Sequence, residues 1–211
     1  MLPSFYPILD PEVAVRHGID PVIAAEQILE GGARILQFRY KGFFSREVFA
    51  QLERVAHLCR DARVRFVVND RADLAALTGA ALHLGQDDLT PTAARQVVGA
   101  EMLIGFSTHN ERQLRAAAAE PANYLALGPI FGTSSKSNPD PVVGIDELRR
   151  LRPLTDRPLV AIGGITRANA QSVLEAGADS VAIIGDLFGR DGNVRARTQE
   201  WMSLTRDAQN V

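Results

Sequence analysis

The chain has 211 residues, 46% of them hydrophobic, with Lys+Arg 23 against Asp+Glu 25 and a formal net charge of −2; that is enough chain for one sizeable core and too little basic surplus for nucleic-acid or anionic-membrane binding. The one cysteine, Cys59, has no partner for an internal disulfide, and no stretch has the length and apolarity of a membrane span. With no basic region and apolar run at Met1-Leu2-Pro3-Ser4-Phe5, these features lead us to expect a single domain over residues 1–211, in the cytoplasm.

Strand-like and helix-like patterns alternate along the chain. Phe5 to Asp10 reads as a strand, followed by an amphipathic helix over Pro21 to Glu30 with Asp20 as N-cap. Ile35 to Arg39 then pairs with a helix from Ser45 to Asp61, whose apolar side takes Cys59. Arg65 to Asn69 leads to a helix over Ala72 to Leu77, and Ala81 to Leu84 to one over Pro91 to Val98. The second half repeats the scheme: strands at Leu103–Ser107, Tyr124–Gly128, Leu159–Gly163 and Ser180–Ile184, and helices at Glu111–Ala119, Ile145–Leu151, Arg167–Glu175 and roughly Val194–Arg206. Gly-Ala pairs at Gly32, Gly79 and Gly177 stand just before strands, where a helix must end in a positive φ and the chain turn back. Eight strand–helix units predict an α/β fold, a closed (β/α)8 TIM barrel, with an open doubly wound sheet as the competing architecture.

The polar residues decide between the two. Arg39, Asn69, Asp70, Asp88, Ser107, Lys136, Gly164 and Gly185 fall at or just past strand ends in different units, the distribution of a barrel mouth rather than of one switch-point crevice. If the second strand runs on to Lys41, Gln37, Arg39 and Lys41 share one face; two cations facing a barrel interior need an anion or buried acidic partners, for which Asp70 and Asp88 are candidates. Asp70 and Asp88 also come from adjacent units and form a candidate Mg2+ pair, because that ion takes one or two carboxylates and completes its shell with phosphate oxygens and water. Taken singly, each would read as a helix cap or turn residue.

His83 is open between a hydrogen-bonding role at a diphosphate and a satisfied core histidine, whereas His17 and His57 are expected to face solvent. The long polar stretch from Gly128 to Gly144, with Thr133 and Lys136, reads as a loop over the mouth. Gly163-Gly164 and Gly185 end the last two strands, where barrels commonly bind a phosphate through backbone amides.

On Gln37-Phe38-Arg39 with Lys41, Val68-Asn69-Asp70, His83 to Asp88, Ser107-Thr108-His109, Gly128 to Phe131 with Thr133 and Lys136, and Ile162 to Ile165, the chain resembles the thiamine-phosphate synthase family along nearly its whole length. The resemblance implies Mg2+-assisted transfer of an aminomethylpyrimidinylmethyl group from its diphosphate to a thiazole phosphate, with release of pyrophosphate, in a homodimer. It also implies roles: Arg39, Lys41, Asn69 and Lys136 on the diphosphate, with the three cations catalytic; Gln37 on the pyrimidine; Asp70 and Asp88 on the metal; Ser107, Thr133, Gly164 and Gly185 near the thiazole phosphate. Tyr40, Gly132 and Gly185 stand where the family commonly has glutamate, proline and serine. A related thiazole tautomerase, using His109 as acid or base, and a non-catalytic phosphate-ligand sensor are the alternatives. Asp70, Asp88 and Lys136 argue against the tautomerase, which needs no diphosphate site.

Overall fold

A computed structural model of the protein describes residues 2–133, 140–189 and 192–207. Its strands are β1 (Phe5–Leu9), β2 (Ile35–Phe38), β3 (Arg65–Asn69), β4 (Ala81–Leu84), β5 (Ile104–Thr108), β6 (Tyr124–Leu127), β7 (Leu159–Ile162) and β8 (Ser180–Ile183). All pair in parallel in chain order, and β1 meets β8 through Phe5–Val181, Tyr6–Ala182 and Pro7–Ile183, closing the barrel. The open sheet is thereby excluded.

Alternation along each strand sorts the core into two layers. Tyr6, Ile8, Ile35, Val67, Ala81, Tyr124, Ala126, Val160 and Ala182 fill the barrel. Their neighbours Phe5, Leu9, Leu36, Phe38, Val68, Leu82 and Leu84 pack outward into the larger core shared with the helices. Each fully buried Leu or Ile of that layer contributes about 1.5–3 kcal/mol.

The helices are α1 (Pro11–Arg16), α2 (Pro21–Glu30), α3 (Arg46–Asp61), α4 (Ala72–Thr78), α5 (Pro91–Val98), α6 (Glu111–Ala117), α7 (Ile145–Leu151), α8 (Ala170–Glu175) and α9 (Val194–Asp207). Their starts carry the expected chemistry: Asp20, Ser45 and Thr90 accept from backbone N–H groups two or three residues on, and Pro21 and Pro91 occupy the first turns. The three Gly-Ala turns do use positive φ, at 96° for Gly32, 66° for Gly79 and 105° for Gly177.

Against expectation, Asp10 ends the first strand pattern as the N-cap of the extra helix α1, and α8 begins at Ala170 instead of Arg167. Cys59 is buried, and His17 and His57 are exposed, as expected. No helix among the described residues is long and apolar enough to cross a membrane.

Candidate active site

Because all strands run the same way, their C-terminal ends form one rim, and Arg39 after β2 and Asp88 after β4 lie on it together. The β2 ladder stops at Phe38, with one further bond from the Arg39 N–H to the Leu9 carbonyl at 2.9 Å. Gln37 therefore points into the barrel and is 2% exposed, while Lys41 lies beyond the strand, exposed. The shared strand face expected for Gln37, Arg39 and Lys41 is corrected on that point.

The partners of the cations are also specific. Arg39 Nη1 donates to Asp10 Oδ2 at 2.5 Å, while Asp10 Oδ1 accepts the N–H groups of Glu12 and Val13 at 3.1 and 3.2 Å. One carboxylate thus starts α1 with one oxygen and orients the guanidinium with the other, a charge-assisted pair with little exposure on either side. Lys41 Nζ lies 2.5 Å from Asp70 Oδ2; with the lysine side chain half exposed, this pair positions more than it stabilises.

Asp70 sits at φ 65°, a left-handed conformation uncommon outside glycine, and its N–H donates to the His83 carbonyl at 2.7 Å. It is not the cap of α4, whose N-cap position is Arg71 and has no side-chain bond. The twist turns its carboxyl toward that of Asp88. Burial, and then the adjacent Asp88 carboxyl, push Asp70 up to about 6 despite the pull of Lys41. Asp88 Oδ2 accepts the Gly85 N–H at 2.7 Å, so its turn role and its rim position coexist. Next to this pair Asn69, 7% exposed, leaves its Nδ2 donor buried with no hydrogen-bond partner. Such an orphan costs about 1–3 kcal/mol unless something arrives to accept it.

Inside the mouth the polar side chains join in series. Gln37 Nε2 donates to Tyr6 Oη at 3.0 Å, Tyr6 Oη lies 2.8 Å from Tyr124 Oη, and His83 connects Tyr124 Oη at 3.0 Å through Nδ1 to Ser107 Oγ at 2.9 Å through Nε2. His83 is thus a buried, satisfied histidine of the interior, in contact with a rim residue. Gly105 makes room for this chain, because a Cβ there would lie 2.0 Å from Tyr124 Cζ.

Across the mouth, the loop after β6 is sewn to β7 by Ile130 N–H to Ile162 O at 2.9 Å and Phe131 N–H to Gly163 O at 3.0 Å. Gly163 and Gly164, at φ 100° and 64°, allow it: a Cβ would meet Pro129 Cβ at 2.5 Å or Gly132 O at 2.5 Å. His109 Nδ1 donates to the Gly128 carbonyl at 2.6 Å, and its Nε2 is 3.5 Å from Asp140, so this histidine braces the loop's two stems. Thr133 is half-buried, and Lys136 lies outside the described residues. Gly185 is exposed, with nothing within 4 Å of where its Cβ would be, and the adjoining Asp186 is fixed by Arg167 Nε at 2.9 Å and Trp201 Nε1 at 3.0 Å. Tyr40 packs edge-on against Phe44 at 5.6 Å, and the Arg71 guanidinium covers that ring at 5.2 Å, so aromatic packing orders this segment.

Sequence reasoning missed Asp10, Tyr6 and Tyr124. The tyrosines sit in strand patterns where an aromatic reads as core, and their hydroxyl partners come from distant strands. Asp10 did carry a signal, since Asp-Pro is a helix start.

A sequence model of the family described as thiamine monophosphate synthase matches residues 5–187. The thiamine-phosphate synthase of Koribacter versatilis (strain Ellin345) is 46% identical over 209 residues, 96% of each chain. That of Persephonella marina (strain DSM 14350 / EX-H1) is 34% identical over 203 residues, 95% of each. The solved thiamine phosphate pyrophosphorylase from Pyrococcus furiosus superposes with a TM-score of 0.85 at 30% identity, covering 97% of this chain and 96% of the other.

Proposed function

The chain belongs to the thiamine-phosphate synthase family, a family of transferases, and from that premise we propose that its β2–β4 rim grips a pyrimidine diphosphate while a thiazole phosphate approaches from the β6–β8 side. The observation that carries the reading is the unpartnered Asn69 Nδ2 beside the Asp70–Asp88 pair. A buried donor lacking an acceptor and a carboxylate pair lacking sufficient cation are together complementary to a metal-bound polyphosphate.

The donor set fits the magnesium that the family implies. Among the described residues no group of three or more His, Cys, Asp or Glu could hold a metal, so Asp70 and Asp88 would be its protein ligands, with phosphate oxygens and water completing the shell. When bound, the ion supplies positive charge that neutralises diphosphate oxygens. Arg39, aimed by Asp10, Lys41 and the Asn69 amide would stabilise the diphosphate as its bond to the pyrimidinylmethyl carbon breaks, and Lys136 would join them. The thiazole ring nitrogen attacks that carbon, so no protein nucleophile is needed. Gln37 would hold the pyrimidine, and Ser107, Thr133, Gly164 and Gly185 the thiazole phosphate. Deleting one such contact raises the barrier by about 3 kcal/mol, by analogy with oxyanion-hole deletions.

The test is pyrophosphate release by purified protein given both substrates, with Mg2+ or with a chelator. Magnesium-dependent release supports the reading; none with both substrates and Mg2+ overturns it and favours the tautomerase or the sensor. The cytoplasmic location expected from the sequence and the homodimer that the resemblance implies belong to the same proposal; light scattering of the eluted protein reads the second.

A further inference from the structure

We propose that the interior chain Gln37–Tyr6–Tyr124–His83–Ser107 is a one-way series of hydrogen-bond donors that fixes which atoms Gln37 and Ser107 present to the substrates, with Tyr124 as its central positioning residue. It deepens the functional reading above and rests on it for the identity of the substrates.

The direction follows from counting protons. An amide nitrogen donates and does not accept, so Gln37 Nε2 uses Tyr6 Oη as acceptor at 3.0 Å. The Tyr6 proton then goes to Tyr124 Oη, 2.8 Å away, and the Tyr124 proton to His83 Nδ1 at 3.0 Å. An imidazole that accepts at Nδ1 carries its proton on Nε2, which donates to Ser107 Oγ at 2.9 Å. Ser107 keeps its own hydroxyl proton to give. Each hydroxyl and imidazole proton in the series is used once, and at the ends Gln37 is left with its Oε1 acceptor and the second N–H of its amide, and Ser107 with O–H, a donor.

Packing protects that polarity. Both tyrosines are 1% exposed, so bulk water does not compete for their protons. Tyr6 and Tyr124 meet edge-on with centroids 6.0 Å apart, and His83 stacks on Tyr124 at 5.6 Å. Burial pushes Tyr6 up to about 12 and Tyr124 well above the usual phenol range, so both keep their hydrogens around neutral pH.

With Nε2 held on Tyr6, the Gln37 Oε1 acceptor is fixed in place and suits the exocyclic amino group of an aminopyrimidine better than the carbonyl of an oxopyrimidine; a donor at Ser107 suits an anionic phosphate oxygen. Specificity is then set by tyrosines that need not touch either substrate.

Histidine 15N NMR of the full-length protein, with His83 assigned by His83→Gln, reads the polarity directly. The expected result is a neutral Nε2–H tautomer at His83, in contrast to His109, whose contact with the Gly128 carbonyl requires a proton on Nδ1. In Tyr124→Phe the His83 tautomer preference is lost, and the preference in kcat/KM for the aminopyrimidine diphosphate over its oxo analogue falls about tenfold, while affinity for magnesium pyrophosphate is unchanged. An Nδ1–H tautomer at His83 in the wild type overturns the proposal, as does a folded Tyr124→Phe that keeps both tautomer and discrimination. Should Tyr124→Phe not fold, the wild-type spectrum and Tyr6→Phe make the same decision. Absence of pyrophosphate release would overturn the functional reading alone, since the tautomer is read without turnover.

Discussion

Asp70 shows how a single residue can be costly to the fold and useful to the site. Its pKa rises from 3.8 to about 6 on folding, through burial first and the Asp88 carboxyl second. The folded protein therefore holds that proton more tightly than the unfolded chain, so Asp70's contribution to stability is present below about pH 4 and is lost as pH rises toward 6. Asp70→Asn, which suits the left-handed φ, is predicted to stabilise the magnesium-free protein above pH 6 by on the order of 1–3 kcal/mol and to abolish the rise in Tm that Mg2+ with pyrophosphate produces. Thermal denaturation with and without chelator checks both signs. Asp10 is the converse case, a residue outside the proposed substrate contacts whose charge serves one of them. Asp10→Asn keeps a competent N-cap for α1 but removes the anion that orients Arg39; KM for the pyrimidine diphosphate is predicted to rise about tenfold with Tm nearly unchanged. Steady-state kinetics and a melting curve separate the two effects.

At the scale of elements, opposite ends of the barrel divide stability from function. At the end away from the mouth, Arg95 on α5 donates to the carbonyls of Gly99, Ala100, Met102 and Pro121 and to Asn123 Oδ1, whose oxygen also accepts the Ile104 N–H at 2.8 Å. Arg95→Ala leaves several of these carbonyls without their donor and is predicted to cost about 2–3 kcal/mol, seen as a lower Tm, with kcat/KM unchanged at temperatures where the protein is folded. At the mouth the balance reverses. Gly164→Ala forces a Cβ to 2.5 Å from Gly132 O at a φ of 64°; it is predicted to destabilise by about 1–3 kcal/mol and, by displacing the loop after β6, to reduce kcat/KM for the thiazole phosphate by a larger factor than for the pyrimidine diphosphate. Elements were the most legible level of the sequence: β3, β4, α5 and α7 fall on the residues that alternation, proline and capping signals indicate. The six residues of α1 are too few to show a helical period, and Arg167 to Asn169 belong to the turn in which Asn169 Oδ1 accepts the Thr166 N–H.

For the whole molecule, parallel closure of eight strands was readable because polar residues gather at strand ends of different units, and it puts Arg39, Asn69, Asp70, Asp88, Ser107, Gly164 and Gly185 around one mouth. Individual partnerships were not readable. That Asp10 rather than Asp70 or Asp88 neutralises Arg39, and that Tyr6 and Tyr124 connect Gln37 to His83, depends on which side chains face each other across a closed barrel, a relation that sequence spacing does not encode. The central claim is that carboxylates from β3 and β4 and the idle Asn69 donor together hold a metal-bound diphosphate. A crystal structure with pyrophosphate and Mg2+ tests it most directly: the account predicts the metal between Asp70 and Asp88 with a phosphate oxygen accepting from Asn69 Nδ2, and a metal bound away from both carboxylates, with Asn69 still unpaired, would contradict it.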